Sequence, residues 1–455
     1  MTDGGLVRRV GTLGATAIVV SNMIGTGIFT TTGFLAGDLG SPGLVVGIWL
    51  VGGVLALAGA ISYVELALNF PRSGGEYVYL SEAWGPAWGF IVGMVSFFAG
   101  FSAPIAAAAL AISAYLGLAS EGASISLGFL TVHLAGAQLF ACAVVAVFTL
   151  LNILGTLLVA RVQTALTAIK LLVIVGFVVL GFSIGSGDTA NLGLTAARTS
   201  DLSLFEQFAS SLVFVFFGYS GWNAAVYIAG EVKDPDRTFP VALAAGTALV
   251  TSLYLALNVL YVYAVPLEEL KGVVAVGSLA ASRLFGEGTA TIFSLGMAVS
   301  LLATVNAMCL VGPRVYYAMA GDGAFFPAAG RIHPRWKSPW IAVLMQGGCS
   351  LLLIVLPTFR SLVFYIGFTL YLFTALAVLA LFKFRRRPGW RHFPLLDKTY
   401  PLLPAVYVAM SVWVLVFSIR SAPFSSLLSL LTVLAGAAAY RLYAGPKDAD
   451  GASAA

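Results

Sequence analysis

Long apolar stretches separated by short polar turns follow one another along the whole chain. A helix needs about 20 apolar residues to cross a bilayer core. Twelve stretches meet this length, centred near Gly25, Val54, Ala103, Ala143, Val173, Phe217, Leu249, Leu302, Leu351, Leu370, Ala409 and Leu431. Because lipid cannot hydrogen-bond to open backbone, the pattern predicts an all-α integral membrane protein with twelve transmembrane helices.

The first stretch, residues 13–39, contains the run Ser21-Asn22-Met23-Ile24-Gly25-Thr26-Gly27 near its centre. The small residues Gly25, Thr26 and Gly27 interrupt the helical pattern there. Glycine weakens a helix, and a helix opens at membrane depth only where protein or a watery cavity covers it. An opened helix presents N–H groups on one half and C=O groups on the other, which suits the carboxylate and ammonium of an amino acid. The alternative is a packing face, in which Gly25 with Gly33 or Ala15 lets a neighbouring helix approach closely.

The sixth stretch carries a second interruption, Gly218-Tyr219-Ser220-Gly221-Trp222-Asn223. The two interruptions lie five stretches apart and at equal depth. Corresponding breaks in the two halves of a chain are typical of an inverted-repeat transporter with its binding site between them. The pair therefore favours transport over simple helix packing.

Lys170 lies nine residues after Arg161, which marks the start of the fifth stretch. At the helical rise it lies about 13 Å inside, near the middle of a hydrocarbon core about 30 Å thick. A lysine stem can snorkel across only part of that distance. Because intramembrane lysines normally face the bundle interior and have a partner, we expect a functional role for Lys170.

The composition and charge agree with a membrane protein. Hydrophobic residues make up 60% of the chain and charged residues 9%, compared with about 25% charged residues in soluble domains. With the N-terminus inside and twelve crossings, 19 of the 24 Lys and Arg residues fall on the inner side. This bias predicts that both termini lie in the cytoplasm. We expect the protein to reside in the plasma membrane. The basic run at 383–387 is expected to contact anionic lipid rather than nucleic acid.

The remaining reactive side chains show no pattern of a catalytic or metal site. The three cysteines lie within apolar stretches and are expected to act as small hydrophobic residues. His133, His333 and His392 are far apart and lack metal-ligand spacing, so neither a metal nor a cofactor is expected. The absence of a nucleophile–base pair argues against an enzyme, and the absence of a continuous polar lining argues against a channel.

Four motifs occur in the chain between residues 24 and 323. They are Ile24-Gly25-Thr26-Gly27-Ile28-Phe29; Glu65 with Pro71-Arg72-Ser73-Gly74-Gly75-Glu76-Tyr77; Gly221-Trp222-Asn223 with Glu231 and Pro235; and Gly312-Pro313-Arg314 with Asp322-Gly323. With these four motifs in this order, the chain resembles members of the amino acid–polyamine–organocation superfamily, above all the L-type amino acid transporter branch and its bacterial relatives. The combination is far more specific than a lone Gly-Thr-Gly.

The resemblance implies a leucine-transporter-like fold of two inverted five-helix repeats, residues 12–184 and 203–383. Two further helices would occupy 400–443, with cytoplasmic segments at 1–11 and 444–455. Helices one and six of this fold are interrupted. Substrate is expected to bind between spans one, three, six, eight and ten.

The resemblance also implies that backbone groups of the two interruptions bind the substrate. Its carboxylate would meet the N–H groups of Gly25, Thr26 and Gly27. Its ammonium would meet the carbonyl groups of Met23, Phe217, Gly218 and Ser220.

Lys170 matches a lysine that, in sodium-independent members, stands where related symporters hold sodium. The resemblance implies that its ammonium ties the opened part of span one to span eight, where Ser300 and Thr304 are the expected partners. We therefore expect transport without sodium. Exchange and proton coupling both remain open.

Asn223 matches a polar residue that steadies the opened part of span six, and Phe217 and Trp222 match the positions expected to gate the site. The chain departs from the family pattern at Ser220, where many relatives have glycine, and at the single Glu231, where relatives often have two acidic residues. No extracellular cysteine is available for a disulfide-linked accessory subunit, so we expect a monomer or homodimer that works without one.

The two interruptions contain aromatic side chains and no acidic one. A carrier of arginine or a polyamine would usually place a carboxylate near the distal cation. We therefore expect a neutral L-amino acid as the substrate. The alternatives are a basic amino acid or polyamine antiporter, and a sensor that binds an amino acid without transporting it.

Overall fold

The computed structural model describes residues 10–71, 74–118, 122–127, 130–154, 156–355 and 358–443. The segment 444–455, residues 1–9 of the predicted N-terminal segment, and Arg72 and Ser73 of the second motif lie outside these ranges. All other site residues named above lie within them.

The first half of the chain is mostly helical. Its elements are α1 (Thr12–Met23), α2 (Thr26–Thr30), α3 (Thr32–Leu39), α4 (Pro42–Asn69), α5 (Glu76–Trp84), α6 (Pro86–Val95), a π-helical segment (Ser96–Ser102), α7 (Ala103–Tyr115), β1 (Gly122–Leu127), β2 (Leu130–Ala135), α8 (Gly136–Ile153) and α9 (Thr156–Ile184).

The second half contains short 3-10 segments at Thr189–Leu192, Ala224–Glu231 and Pro327–Gly330. Its α-helices are α10 (Leu204–Tyr219), α11 (Pro235–Ala264), α12 (Leu267–Leu270), α13 (Val276–Phe285), α14 (Glu287–Gly321), α15 (Trp340–Val355), α16 (Phe359–Phe384), α17 (Pro394–Thr399), α18 (Leu402–Ser421) and α19 (Pro423–Tyr443).

Within the described ranges, ten helical segments are long and apolar enough to cross a membrane. The sixth and ninth predicted crossings coincide with two shorter apolar helices, α10 and α15, of 16 residues each. A two-stranded antiparallel hairpin between α7 and α8, pairing Gly122 with Ala135 and Leu127 with Leu130, departs from the all-α prediction. Periodicity did not reveal it because the hairpin lies between two apolar stretches.

The helix ends gather on two sides of the bundle. Three contacts mark the side that holds both ends of the described chain, which we call the termini side: Lys233 N to Val10 O at 2.8 Å, Lys383 Nζ to Ala83 O at 2.6 Å, and the rings of Phe90 and Tyr440 at 5.5 Å. Three more mark the opposite, far side: Arg360 to Asp38 at 2.8 Å, Ala196 N to Gly40 O at 2.8 Å, and Ser186 N to Leu284 O at 2.9 Å.

Candidate functional site

The first predicted interruption is present in the structure. α1 ends at Met23, and the backbone of Ile24 (φ −72°, ψ 91°) and Gly25 (φ −134°, ψ −153°) is extended before α2 begins at Thr26. The last carbonyl groups of α1 and the first N–H groups of α2 therefore have no partners within their own helices. These are the two kinds of backbone group that the sequence predicted for this depth.

The second predicted interruption is also present. α10 ends at Tyr219, Ser220 is extended (ψ 146°), and Gly221 has φ +97° before the 3-10 segment begins at Ala224. Only glycine adopts such a φ without strain. Gly221 therefore allows the chain to turn sharply in the middle of the bundle.

The two interruptions touch each other at Gly27 and Gly218. A Cβ atom on Gly27 would overlap the Cα atom of Gly218 and lie 2.7 Å from its amide nitrogen. The missing side chain at Gly27 therefore permits close packing of the two interrupted backbones. At Gly25 a Cβ would meet only ordinary contacts, the nearest being Thr304 Cγ2 at 3.6 Å.

Lys170 is 1% exposed and points at the first interruption. Its Nζ donates to Ile24 O at 2.6 Å, to Ser21 O at 3.3 Å and to Thr304 Oγ1 at 3.2 Å. The three ammonium donors thus satisfy two end carbonyls of α1 and bind a side chain of α14. A cation at a helix C-terminus also interacts favourably with the helix dipole. Lys170 therefore links the opened helix to α14 through Thr304, one of its two expected partners.

Ser300, the other expected partner, does not serve this role. Its hydroxyl donates to Gly296 O in its own helix at 2.8 Å. Ser300 precedes Thr304 by one helical turn, and an intrahelical bond of this kind is common for a buried serine. Residue type and depth alone did not distinguish the two hydroxyls.

Tyr254, on α11, is a site residue that the sequence did not reveal. Its hydroxyl is within hydrogen-bond distance of Met23 O at 2.6 Å and Gly218 O at 3.0 Å, and the side chain is fully buried. One hydroxyl proton serves one carbonyl at a time, so each carbonyl keeps acceptor capacity. Tyr254 thus contacts two of the carbonyl groups predicted to bind the substrate ammonium. A tyrosine in an apolar helix gives no sequence signal for this contact.

A cavity of about 150 Å³ lies on the termini side of the interruptions. Side chains from the five predicted helices line it, among them Asn22, Val95, Ser220, Met308 and Thr374. Two predicted site residues, Ser220 and Asn223, belong to this lining. The other predicted site residues lie behind it in the packed core: Met23, Gly25, Thr26, Gly27, Phe217, Gly218, Trp222, Lys170, Ser300 and Thr304.

The π-helical segment supplies part of the cavity wall, including Ser96, Ala99 and Phe101. Pro104 follows it and has no backbone N–H to continue an α-helix. Insertions of this type often occur at functional sites. Pro104 is the sequence signal for this irregularity.

The two predicted gating aromatics are buried in helix contacts. The Trp222 ring packs edge-on against Tyr63 with centroids 4.7 Å apart, and Phe217 is 5% exposed. The Phe217 carbonyl accepts from the Ser220 hydroxyl at 2.8 Å and from the Ser220 amide at 3.2 Å. In this arrangement neither ring lines the cavity, so their gating role stays a prediction.

An acidic side chain does reach the cavity, although none lies in the interruptions themselves. Glu76, the first residue of α5, accepts hydrogen bonds from Asn223 Nδ2 at 2.5 Å, Tyr227 Oη at 2.6 Å and Tyr63 Oη at 3.0 Å. Asn223 thereby fastens the segment after the second interruption to α5. The sequence placed Glu76 in the second family motif, but it did not show that the side chain points toward the cavity.

Glu65, His392 and Asp397 bring potential metal-binding atoms together near the end of α4. Arg385 occupies the centre of this group, with its Nε 2.7 Å from Glu65 Oε1 and an NH2 group 2.9 Å from Asp397 Oδ1. Hydrogen bonding and ion pairing with Glu65 raise the pKa of Arg385, although burial opposes the shift. The group is therefore an ion-pair network that fastens α4 to the end of α16.

Comparison with known proteins shows which family the chain belongs to. The family model described as amino acid permease matches residues 10–438. Serine/threonine exchanger SteT of Bacillus subtilis is 30% identical over 447 residues, which cover 96% of this chain and 97% of that protein. Large neutral amino acids transporter small subunit 2 of Homo sapiens is 29% identical over 449 residues, 96% of this chain and 80% of that protein. Human b(0,+)-type amino acid transporter 1 is 28% identical over 442 residues, 96% of this chain and 88% of that protein.

The chain belongs to the amino acid permease family, within the amino acid–polyamine–organocation superfamily. The predicted superfamily is thereby confirmed. Its relatives are membrane transporters and exchangers of amino acids and not enzymes. The chain is accordingly a multi-pass membrane protein of an amino acid transporter family.

Proposed function

We propose that this permease carries neutral L-amino acids across the plasma membrane without sodium, by exposing one central site alternately to the two sides. It works as an exchanger or together with protons. Its twelve helices form two inverted five-helix repeats and two further helices, with both termini in the cytoplasm. It needs no accessory subunit and acts as a monomer or homodimer.

The contact of Lys170 with the first interruption is the observation that carries this proposal. Its ammonium binds Ile24 O, Ser21 O and Thr304 Oγ1, and the lysine is 1% exposed. A fixed positive charge at this point supplies what a bound sodium ion would supply, namely a cation that holds the end of α1 against α14. Transport therefore has no need of sodium.

The substrate would bind at the two interruptions, with its carboxylate on the first N–H groups of α2 and its ammonium on carbonyl groups released by the breaks. A group at the Cβ position of Gly25 would meet only ordinary van der Waals contacts, whereas at Gly27 it would overlap Gly218. The ammonium would compete with the Tyr254 hydroxyl for Met23 O and Gly218 O. The part of the site closest to Gly25 is thus the preferred place for the carboxylate.

A basic amino acid or polyamine carrier is the second candidate, because Glu76 brings a carboxylate to the cavity wall. Against it, Glu76 is the one acidic side chain among the described residues that line the cavity. The rest of the wall is mainly apolar, with Val95, Phe101 and Phe373 among its residues. Apolar substrate side chains gain about 0.8 kcal/mol for each buried CH₂.

Counterflow into proteoliposomes tests the proposal. Vesicles loaded with unlabelled L-alanine or L-leucine should take up the labelled amino acid at equal rates in sodium and choline buffers. Neutral L-amino acids should compete, whereas arginine, lysine, putrescine and amino acid esters should not. A steep sodium requirement would exclude the role given to Lys170. Strong inhibition by arginine or putrescine would favour the second candidate, and binding without uptake would indicate a sensor.

A further inference from the structure

Three carboxylates are almost fully buried among the residues that the structure describes: Asp38 at 2% exposure, Glu65 at 0% and Glu76 at 6%. Two of them are neutralised by arginine. Arg360 lies 2.8 Å from Asp38, and Arg385 binds Glu65 through two nitrogen atoms. Glu76 forms no ion pair within the described part of the chain, which sets it apart from the other two.

The contacts of Glu76 leave its charge uncompensated. Its three donors, Tyr63, Asn223 and Tyr227, are neutral, and they use three of the roughly four acceptor positions of a carboxylate. Burying a charge without a partner costs several kcal/mol even after relaxation. Acidic side chains in a membrane-spanning bundle normally face a pathway or a ligand. The remaining acceptor position of Glu76 therefore calls for a cationic ligand.

Glu76 lies on the route between the interruptions and the termini side. It lines the cavity together with Asn22, Asn223 and Tyr227, and the latter two follow the break in the sixth span. Asn22, another lining residue, donates its amide nitrogen to Ile18 O at 2.9 Å, so its side-chain oxygen keeps its acceptor capacity. A carboxylate with a free acceptor position suits an ammonium group. A metal ion such as Ca²⁺ would require six to eight oxygen ligands.

We propose that Glu76 is a second ammonium subsite, which binds the α-ammonium of the amino acid as it passes between the interruptions and the termini side. This inference rests on the proposed function, because it takes an amino acid as the transported molecule. Only the conformation that opens toward the termini side exposes Glu76 to substrate. The subsite therefore affects affinity on that side and not on the far side.

Glu76→Gln removes the charge while keeping the size of the side chain. Glu82→Gln is the matched control, because Glu82 belongs to the same helix, α5, and its carboxylate is 38% exposed outside the cavity. The apparent KM for labelled L-alanine and L-leucine is measured in right-side-out and inside-out membrane vesicles. For Glu76→Gln we expect the KM on the termini side to rise by at least about tenfold, the lower end of the loss for one hydrogen bond to a charged group. The far-side KM should change less than about twofold, and Glu82→Gln should behave as wild type.

Two results would overturn the subsite. The first is an unchanged KM on both sides in Glu76→Gln. The second is an equal rise in KM on both sides together with a lower melting temperature, because that combination indicates a purely structural residue. If the variant loses only arginine or lysine transport, Glu76 recognises a side-chain cation and the α-ammonium assignment is wrong. Wild type that exchanges neither L-alanine nor L-leucine would refute the proposed function instead.

Carboxyl labelling of the wild-type protein provides a test that needs no variant. The purified transporter is treated with a carbodiimide and an amine nucleophile, and labelling at Glu76 and Glu82 is measured by mass spectrometry. L-Alanine should protect Glu76 at least about threefold and leave Glu82 unchanged, whereas L-lactate, which has no ammonium, should protect neither. Equal labelling of Glu76 with and without L-alanine would contradict the proposal even if Glu76→Gln fails to fold.

Discussion

Replacing Lys170 by methionine removes one buried ammonium while keeping most of the apolar stem. The ammonium makes three hydrogen bonds, at 2.6, 3.2 and 3.3 Å, to Ile24 O, Thr304 Oγ1 and Ser21 O. After the change two carbonyl groups at the end of α1 lose their partner in a dry interior, and α1 loses its link to α14. The variant thus tests whether this link is required for transport.

The expected size of the effect follows from those contacts. A hydrogen bond to a charged group contributes about 1.5–3 kcal/mol, and a buried carbonyl left without a donor costs about 1–3 kcal/mol. Burying the ammonium itself costs several kcal/mol, so its removal offsets much of the loss in global stability. If the transport-competent arrangement loses the equivalent of one charged hydrogen bond, exchange falls by about 10- to 150-fold. The melting temperature should change far less than the exchange rate.

Counterflow rates are measured in proteoliposomes and divided by the amount of folded transporter determined by size-exclusion chromatography. Thr304→Val removes one of the three contacts and should have a smaller effect in the same direction. Ser300→Ala is the matched control, because the Ser300 hydroxyl bonds only within α14 in the described structure. Wild-type exchange by Lys170→Met, or equal defects in Thr304→Val and Ser300→Ala, would refute the reasoning.

Two further predictions concern the interruptions. Gly27→Ala should lower the melting temperature, because its Cβ would overlap the backbone of Gly218. Gly25→Ala should unfold near the wild-type temperature, because its Cβ would meet only ordinary contacts. Thermal unfolding in detergent compares the two variants, and equal melting temperatures would show that the two backbones separate freely. Tyr254→Phe should lower KM by about fivefold, since its hydroxyl competes with the substrate ammonium for two carbonyl groups of the breaks, and Tyr261→Phe should leave KM unchanged, since the Tyr261 hydroxyl has no hydrogen-bond partner within the described ranges. Identical KM values for the two variants would remove Tyr254 from the site.

The sequence by itself determined where the chain is apolar and where a helix in lipid must open. Breaks at Gly25 and at Ser220 with Gly221 were predictable because opening a helix in lipid depends on local backbone energetics. The depth of Lys170 followed from helical rise alone. Its requirement for a buried partner followed from the cost of an isolated charge. These properties belong to single segments, so a single sequence reports them.

Only the tertiary structure decided which segments meet. The sequence predicted a substrate-binding N–H group at Gly27, and only the structure showed that the same residue packs against the backbone of Gly218 in another helix. Thr304 and Ser300 have similar depth and chemistry, but the rotation of α14 directs only Thr304 toward Lys170.

The same limit explains the residues that were missed. Glu76 enters the cavity from a short helix outside the interruptions, and Tyr254 reaches both breaks from α11. The hydrophobic pattern and the residue types show whether a segment is stable as a helix in lipid. Contacts between distant segments depend instead on how each helix is rotated about its axis and how closely two helices approach. Those are set by packing of the whole bundle, in which close van der Waals contact replaces the hydrophobic effect between helices.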